Sequence, residues 1–195
     1  AAVKGDVSSL TQLLKKRDLL EPGALRDGDV QNPSLVMFAA HGGHVEVMKL
    51  LIKNKADVKT EIRSGHRPLH LVAMFTGSMP LVKLLAKHKA DLSAPTEQGM
   101  TAKIMASRSG FLPLLKYLTE RTKEDPGERM QSAFEAAREG HVSCVQFLLK
   151  PGKGKGKAQL EKDQIDQLLH VGGSAPMGHI PVVNLMLEHG GNPKV

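Results

Sequence analysis

Apolar and polar positions along this chain follow a helical beat that restarts at recurring glycines. After Gly43, Val45, Met48, Leu51 and Ile52 fall at helical spacing. After Gly77 the set is Leu81, Leu84 and Leu85, and after Gly140 it is Val142, Val145, Leu148 and Leu149. Residues three and four apart share one helix face, so each set is a buried stripe. Lys49, Lys53, Lys83, Lys87 and Gln146 fall on the opposite, wet face. Ahead of the glycines stand Ala39-Ala40, Val72-Ala73, Ala106-Ser107 and Ala136-Ala137, small enough for a first helix to approach its neighbour closely. Glycine then supplies the left-handed backbone that ends one helix and turns into the next. The pattern predicts an all-α chain of short helix pairs.

The anchor glycines are Gly5, Gly43, Gly77, Gly110, Gly140 and Gly178, separated by 38, 34, 33, 30 and 38 residues. From Gly43 onward an apolar pair follows seven and eight residues later: Leu50-Leu51, Leu84-Leu85, Tyr117-Leu118, Phe147-Leu148 and Leu185-Met186. In the first unit Leu13-Leu14 follow Gly5. Fixed inner spacing with drifting outer spacing describes rigid units joined by loops of variable length. A period in the low thirties describes a stack of such units. They run approximately 1–20, 33–60, 61–94, 95–125, 128–158 and 164–195, within one domain over residues 1–195. Lysine- or histidine-rich helix ends suit the negative end of the helix dipole. Lys55-Ala56-Asp57-Val58 and Lys89-Ala90-Asp91-Leu92 then lead into turn-rich links.

These motifs resemble the ankyrin repeat family. Its pattern is Gly-x-Thr-Pro-Leu-His-x-Ala-Ala-x-x-Gly-His, an apolar helix, and Gly-Ala-Asp. Gly65-His66-Arg67-Pro68-Leu69-His70-Leu71-Val72-Ala73 matches it, Gly99-Met100-Thr101-Ala102 keeps the glycine and threonine, and Gly43-His44, Gly140-His141 and Gly178-His179 keep the turn pair. The resemblance implies an ankyrin-repeat solenoid of stacked helix-turn-helix units with hairpin-like links and irregular terminal units. Departures are equally specific. Arg67 stands in place of threonine, one extra residue lies between Ala73 and Gly77, and residues 17–33 form a longer link. Gly172-Gly173-Ser174-Ala175-Pro176 occupy a helical stretch; glycine costs about 1 kcal/mol and interior proline about 3, so a short or broken helix is expected there. The chain starts at Ala1-Ala2 in the register of Ala39-Ala40, which predicts either missing upstream residues or a reduced cap.

Composition narrows the function classes. No run of about 18 apolar residues is present, so no membrane span is expected. A single cysteine, Cys144, leaves no internal disulfide and fits a reducing compartment, cytoplasmic or nuclear. Net charge is +7, which suits an acidic partner, while aromatic residues make up 3%, which argues against base stacking on nucleic acid. The one dense basic run, Lys150 to Lys157, reads as a solvated linker. Gly152 to Gly156 encloses three residues where a phosphate loop needs four, and Ala158 stands where it needs serine or threonine.

Nine histidines show no convergent ligand spacing, so no metal site is expected. His44, His141 and His179 recur at the turn and His70 and His170 at the motif position, where the resemblance implies rings that tie backbone groups together. Cys144 fills the slot of Val47 and Leu81, a packing slot rather than a nucleophile's. Glu135 and Glu139 read as a solvated helix face. Neither a catalytic set nor a cofactor is expected.

The expected activity is binding through a concave wall. Carrying the family's variable positions over, the resemblance places Arg63, Ser64 and His66 on one hairpin tip and Glu97, Gln98 and Met100 on the next. Arg108 and Ser109, then Arg138 and Glu139, continue it along the first helices. Met74 and Phe75 fall between Ala73 and Gly77, either exposed as interface anchors or rotated into the core by the insertion. The expected product is a monomeric, non-catalytic adaptor for a protein partner. Three alternatives are a targeting part of a longer enzyme, a secreted bacterial effector in a host cell, and a basic nucleic-acid scaffold.

Overall fold

The computed structural model describes residues 35–62, 64–123, 125–150, 161–174 and 178–192. The first unit (1–20), the link over 17–33, Arg63, the basic run beyond Lys150, and Ala175-Pro176 lie outside the described residues. Among the described residues every regular element is helical, as the repeat pattern predicts. The chain divides into two compact units, residues 1–102 and 103–195.

In the compact unit of residues 1–102, α1 (Leu35–His41) pairs with α2 (Val45–Lys53). Next, α3 (Pro68–Leu71) runs on as a π-helical turn (Val72–Thr76) and is followed by α4 (Met79–Lys87). Successive first helices pack together, α1 on α3, and successive second helices likewise, α2 on α4. Of the expected stripes Met48, Leu51, Leu81 and Leu85 are buried, Val45, Ile52 and Leu84 are half-buried, and Val47 and Val82 join the core beside them. Each buried side chain contributes about 2 kcal/mol by leaving water. Ala39, Ala40, Val72 and Ala73 have no exposed surface, so the close approach asked of small residues is realised.

Hairpin-like links join these pairs. Ile62 N–H donates to His66 O at 3.0 Å, and Thr96 N–H donates to Met100 O at 3.0 Å. Glu97 N–H donates to Ser64 O at 3.2 Å, so one tip hydrogen-bonds the next. Lys55 and Lys89, which end α2 and α4, hold φ of 64° and 61°, where the resemblance would put glycine.

In the second unit α5 (Ala102–Arg108), which starts at the boundary, is followed by α6 (Leu112–Arg121), α7 (Pro126–Arg138), α8 (Val142–Leu149), α9 (Lys162–Ser174) and α10 (Ile180–Glu188). Here α6 packs on α8, α8 on α10, and α7 on α9. Leu114, Leu115, Leu118, Cys144, Val145, Leu148, Val182 and Met186 are buried. Asp125 caps α7 by accepting Gly127 N–H at 3.0 Å, with Pro126 at the first helical position.

One expectation fails here. The glycine pair was expected to shorten or break its helix, yet α9 runs unbroken through Gly172 and Gly173 to Ser174. Tertiary packing overrides propensity. Gly172 takes the register of Ala39, Ala106 and Ala136: His179 N–H donates to Gly172 O at 2.9 Å, as His44, Phe111 and His141 do to Ala39, Ala106 and Ala136. A Cβ at Gly172 would lie 2.9 Å from Val182 Cγ1, so only glycine lets α9 and α10 come this close.

Candidate functional site

The extra residue between Ala73 and Gly77 decides where Met74 and Phe75 go. A π-helical turn bonds each carbonyl to the fifth residue on and so absorbs one residue without breaking the helix. Gly77 N–H donates to Val72 O at 2.8 Å, closing that turn, and Gly77 leaves it at φ 57°. Val72 and Ala73 stay in the core, and the surplus falls on the residues after them. Phe75 is 51% exposed and Met74 is half-buried. The ring of exposed His41, at the end of α1, lies 4.4 Å from the Phe75 ring, so the two helices together present an aromatic pair to solvent.

The hairpin tips carry polar groups. Ser64 hydroxyl and His66 Nδ1 are hydrogen-bonded at 2.7 Å. Glu97 and Gln98 are exposed and Met100 is half-buried. Beneath the tip His70 is only 2% exposed. Arg67 N–H donates to its Nδ1 at 2.9 Å, so the ring proton sits on Nε2 and is donated to Ala94 O at 2.8 Å. Burial pushes the His70 pKa below its ordinary value, opposed by the Ala94 hydrogen bond. Arg67, the residue in the threonine place, pairs instead with Glu61 at 3.1 Å.

In the second unit Arg108 and Arg138 meet two carboxylates. Arg138 Nη2 lies 2.7 Å from Glu135 Oε2 and 3.3 Å from Glu139 Oε1. Arg108 Nε lies 3.7 Å and 3.8 Å from the same two groups. The expected solvated face is therefore corrected. Glu135 is buried, because stacking brings the end of α5 against the end of α7 and two guanidiniums neutralise it there. Arg108, Arg138 and Glu139 remain partly exposed, and Ser109 sits half-buried beside Arg108.

The sequence reading missed a second buried charge set. Lys103 and Arg129 are each 6% exposed. Lys103 Nζ pairs with Glu128 and donates to Lys123 O at 3.2 Å. Arg129 Nε donates to Leu148 O at 2.9 Å, and its Nη2 donates to Lys150 O. These cations satisfy carbonyls at the end of α8 and just beyond α6, where the helix dipole favours positive charge. The signal was a lysine in the apolar slot of Val36 and Leu69.

Other histidines hold the turns. His179 Nε2 is hydrogen-bonded to Arg138 O at 2.9 Å. Its ring lies where a Cβ on Gly140 would be, and the His141 ring lies likewise against Gly110. His170 departs from the expected tying role: it is exposed, and its Nε2 lies 3.5 Å from Ser174 Oγ one turn on in the same helix. Among the described residues no cluster of His, Cys, Asp or Glu is placed to hold a metal ion. Cys144 is buried, and burial pushes its thiol up to about 11, so it is protonated at neutral pH. Among the described residues no helix is long and apolar enough to cross a membrane.

Comparison with known proteins gives a consistent picture. The family profile described as ankyrin repeats (3 copies) matches residues 1–95 and 36–130. The ankyrin repeat and KH domain-containing protein mask-1 of Caenorhabditis elegans is 30% identical over 163 residues, 81% of this chain and 6% of that protein. The ankyrin repeat protein nuc-2 of Neurospora crassa is 27% identical over 179 residues, 89% of this chain and 16% of that protein. The chain thus spans a small part of the length of these relatives. The crystal structure of the human ASB11 ankyrin repeat domain superposes with a TM-score of 0.75 at 22% identity, covering 100% of this chain and 84% of that one.

Proposed function

The chain belongs to the ankyrin repeat family, and on that premise we propose that it is a non-catalytic adaptor that takes a protein partner on its inner surface. Ankyrin repeats are generally protein–protein interaction modules, and the family is generally non-catalytic. The observation that carries the finer reading is the π-helical turn. It turns Phe75 outward beside His41, at the position the family leaves variable, instead of burying it. A large exposed aromatic residue on a rigid element suits an interface centre, because little conformational freedom is lost on binding. Ser64, His66, Glu97 and Gln98 supply the polar rim in this reading, with the apolar Met100 on the same tip as Glu97 and Gln98 and Arg63 assigned to the rim from sequence alone. Arg108, Ser109, Arg138 and Glu139 form a second patch. The net charge of +7 favours a partner with some acidic character. The buried single thiol favours a reducing compartment, cytoplasmic or nuclear, with the chain acting as a monomer.

Affinity capture with crosslinking and mass spectrometry identifies the partner, and Phe75→Ala then tests the site. The expected result is a loss of affinity of about tenfold or more with an unchanged melting curve. Unchanged affinity would remove the inner surface of the first unit as the site.

A further inference from the structure

The helices α7 and α9 are 13 residues long, against 7 for α1 and for α5. Between them lies an open groove lined by Phe134 of α7 and by Asp163, Asp166, Gln167, His170 and Val171 of α9. Phe134 and Val171 are half-buried and make an apolar floor. Asp163, Gln167 and His170 are exposed along one edge of α9, at spacings of four and three residues, which puts them on one face. Neither Asp163 nor Asp166 stands in an ion pair among the described residues. Asp166 Oδ1 accepts the uncharged Asn192 N–H at 2.6 Å. Asp163 in the first turn of α9 also suits the helix dipole. That accounts for a carboxylate at this end of the helix, but not for an apolar floor beside it.

We propose that this groove docks a peptide segment of a partner protein carrying an aliphatic or aromatic residue flanked by arginine or lysine. The floor removes the apolar side chain from water, and the carboxylate edge attracts the flanking cations. An acidic segment or a nucleic acid would meet like charge here. The groove lies wholly within the second unit, so the proposal stands apart from the reading of Phe75.

Fluorescence polarisation of two labelled peptides, Arg-Lys-Leu-Phe-Leu-Lys-Arg and Glu-Glu-Leu-Phe-Leu-Glu-Glu, tests it on the full chain. The basic peptide is expected to bind saturably and the acidic one not to bind. Asp163→Lys, at an exposed position, should weaken the basic peptide about tenfold with no change in the circular dichroism spectrum. Phe134→Ala should weaken it as well, and Phe75→Ala should leave it unchanged. Absence of binding, equal affinity for both peptides, or binding that survives Asp163→Lys overturns the proposal. So does sedimentation showing a dimer that Asp163→Lys dissociates, because the groove would then hold a second copy of this chain.

Discussion

At the scale of single residues, the positions that matter most are those where a polar atom is committed inside the fold. His70 spends both ring nitrogens on backbone groups, and burial disfavours its charged form. With the folded pKa below 6.5, the unfolded chain takes up a proton in acid that the folded chain refuses. The stabilising contribution is therefore complete above the unfolded pKa and is lost as pH falls below it, toward the folded value. Urea midpoints at pH 7.5 and 5.5 should show wild type losing stability, and His70→Ala, lower at both by about 1–3 kcal/mol, losing less between them. An equal loss in the two proteins would clear the His70 ring of that role. The same contrast shows what was legible. His70 was readable from its motif, whereas Lys103 left only the signal of a lysine in an apolar slot and Glu135 left none. Lys103 donates to the carbonyl of Lys123, and Glu135 meets Arg108 as well as its neighbour Arg138; stacking brings Lys123 and Arg108 there.

At the scale of elements, amphipathic stripes were read correctly from periodicity, while the two irregular helices were settled by packing. The π-helical turn was announced by one surplus residue, but the direction of Phe75 depended on Val72 and Ala73 keeping their core places. Conversely, the glycine pair of α9 looked like a break and is a contact. The two glycines make opposite predictions. A methyl at Gly172 gains about 1 kcal/mol of helix propensity but meets buried Val182 at 2.9 Å, and overpacking costs about 1–3 kcal/mol. A methyl at Gly173 meets nothing nearer than Val183 Cγ2 at 3.9 Å. Gly172→Ala should lower the melting temperature and Gly173→Ala should raise it. If both variants shift in the same direction, the close approach of α9 and α10 is not what holds glycine there.

At the scale of the molecule, the net charge is +7, and several of the described cations are already spent on partners within the chain such as Glu128, Glu135 and Glu139. A protein partner held mainly by apolar contact at Phe75 should therefore bind with little salt dependence. Its affinity is expected to change less than about threefold between 50 and 200 mM salt, whereas phosphate-driven binding falls by orders of magnitude. A steep salt slope measured by calorimetry would instead favour the basic scaffold. The repeat period, the helix pairs, the turn glycines and the family were determined by sequence alone, because nearest-neighbour stacking writes the same short pattern into every unit. The exposure of Phe75, the burial of Glu135 and Lys103, the continuity of α9 and the groove beside Asp163 were decided only by tertiary structure. Each depends on which side chain of the adjacent unit arrives within contact, and local periodicity does not encode that distance.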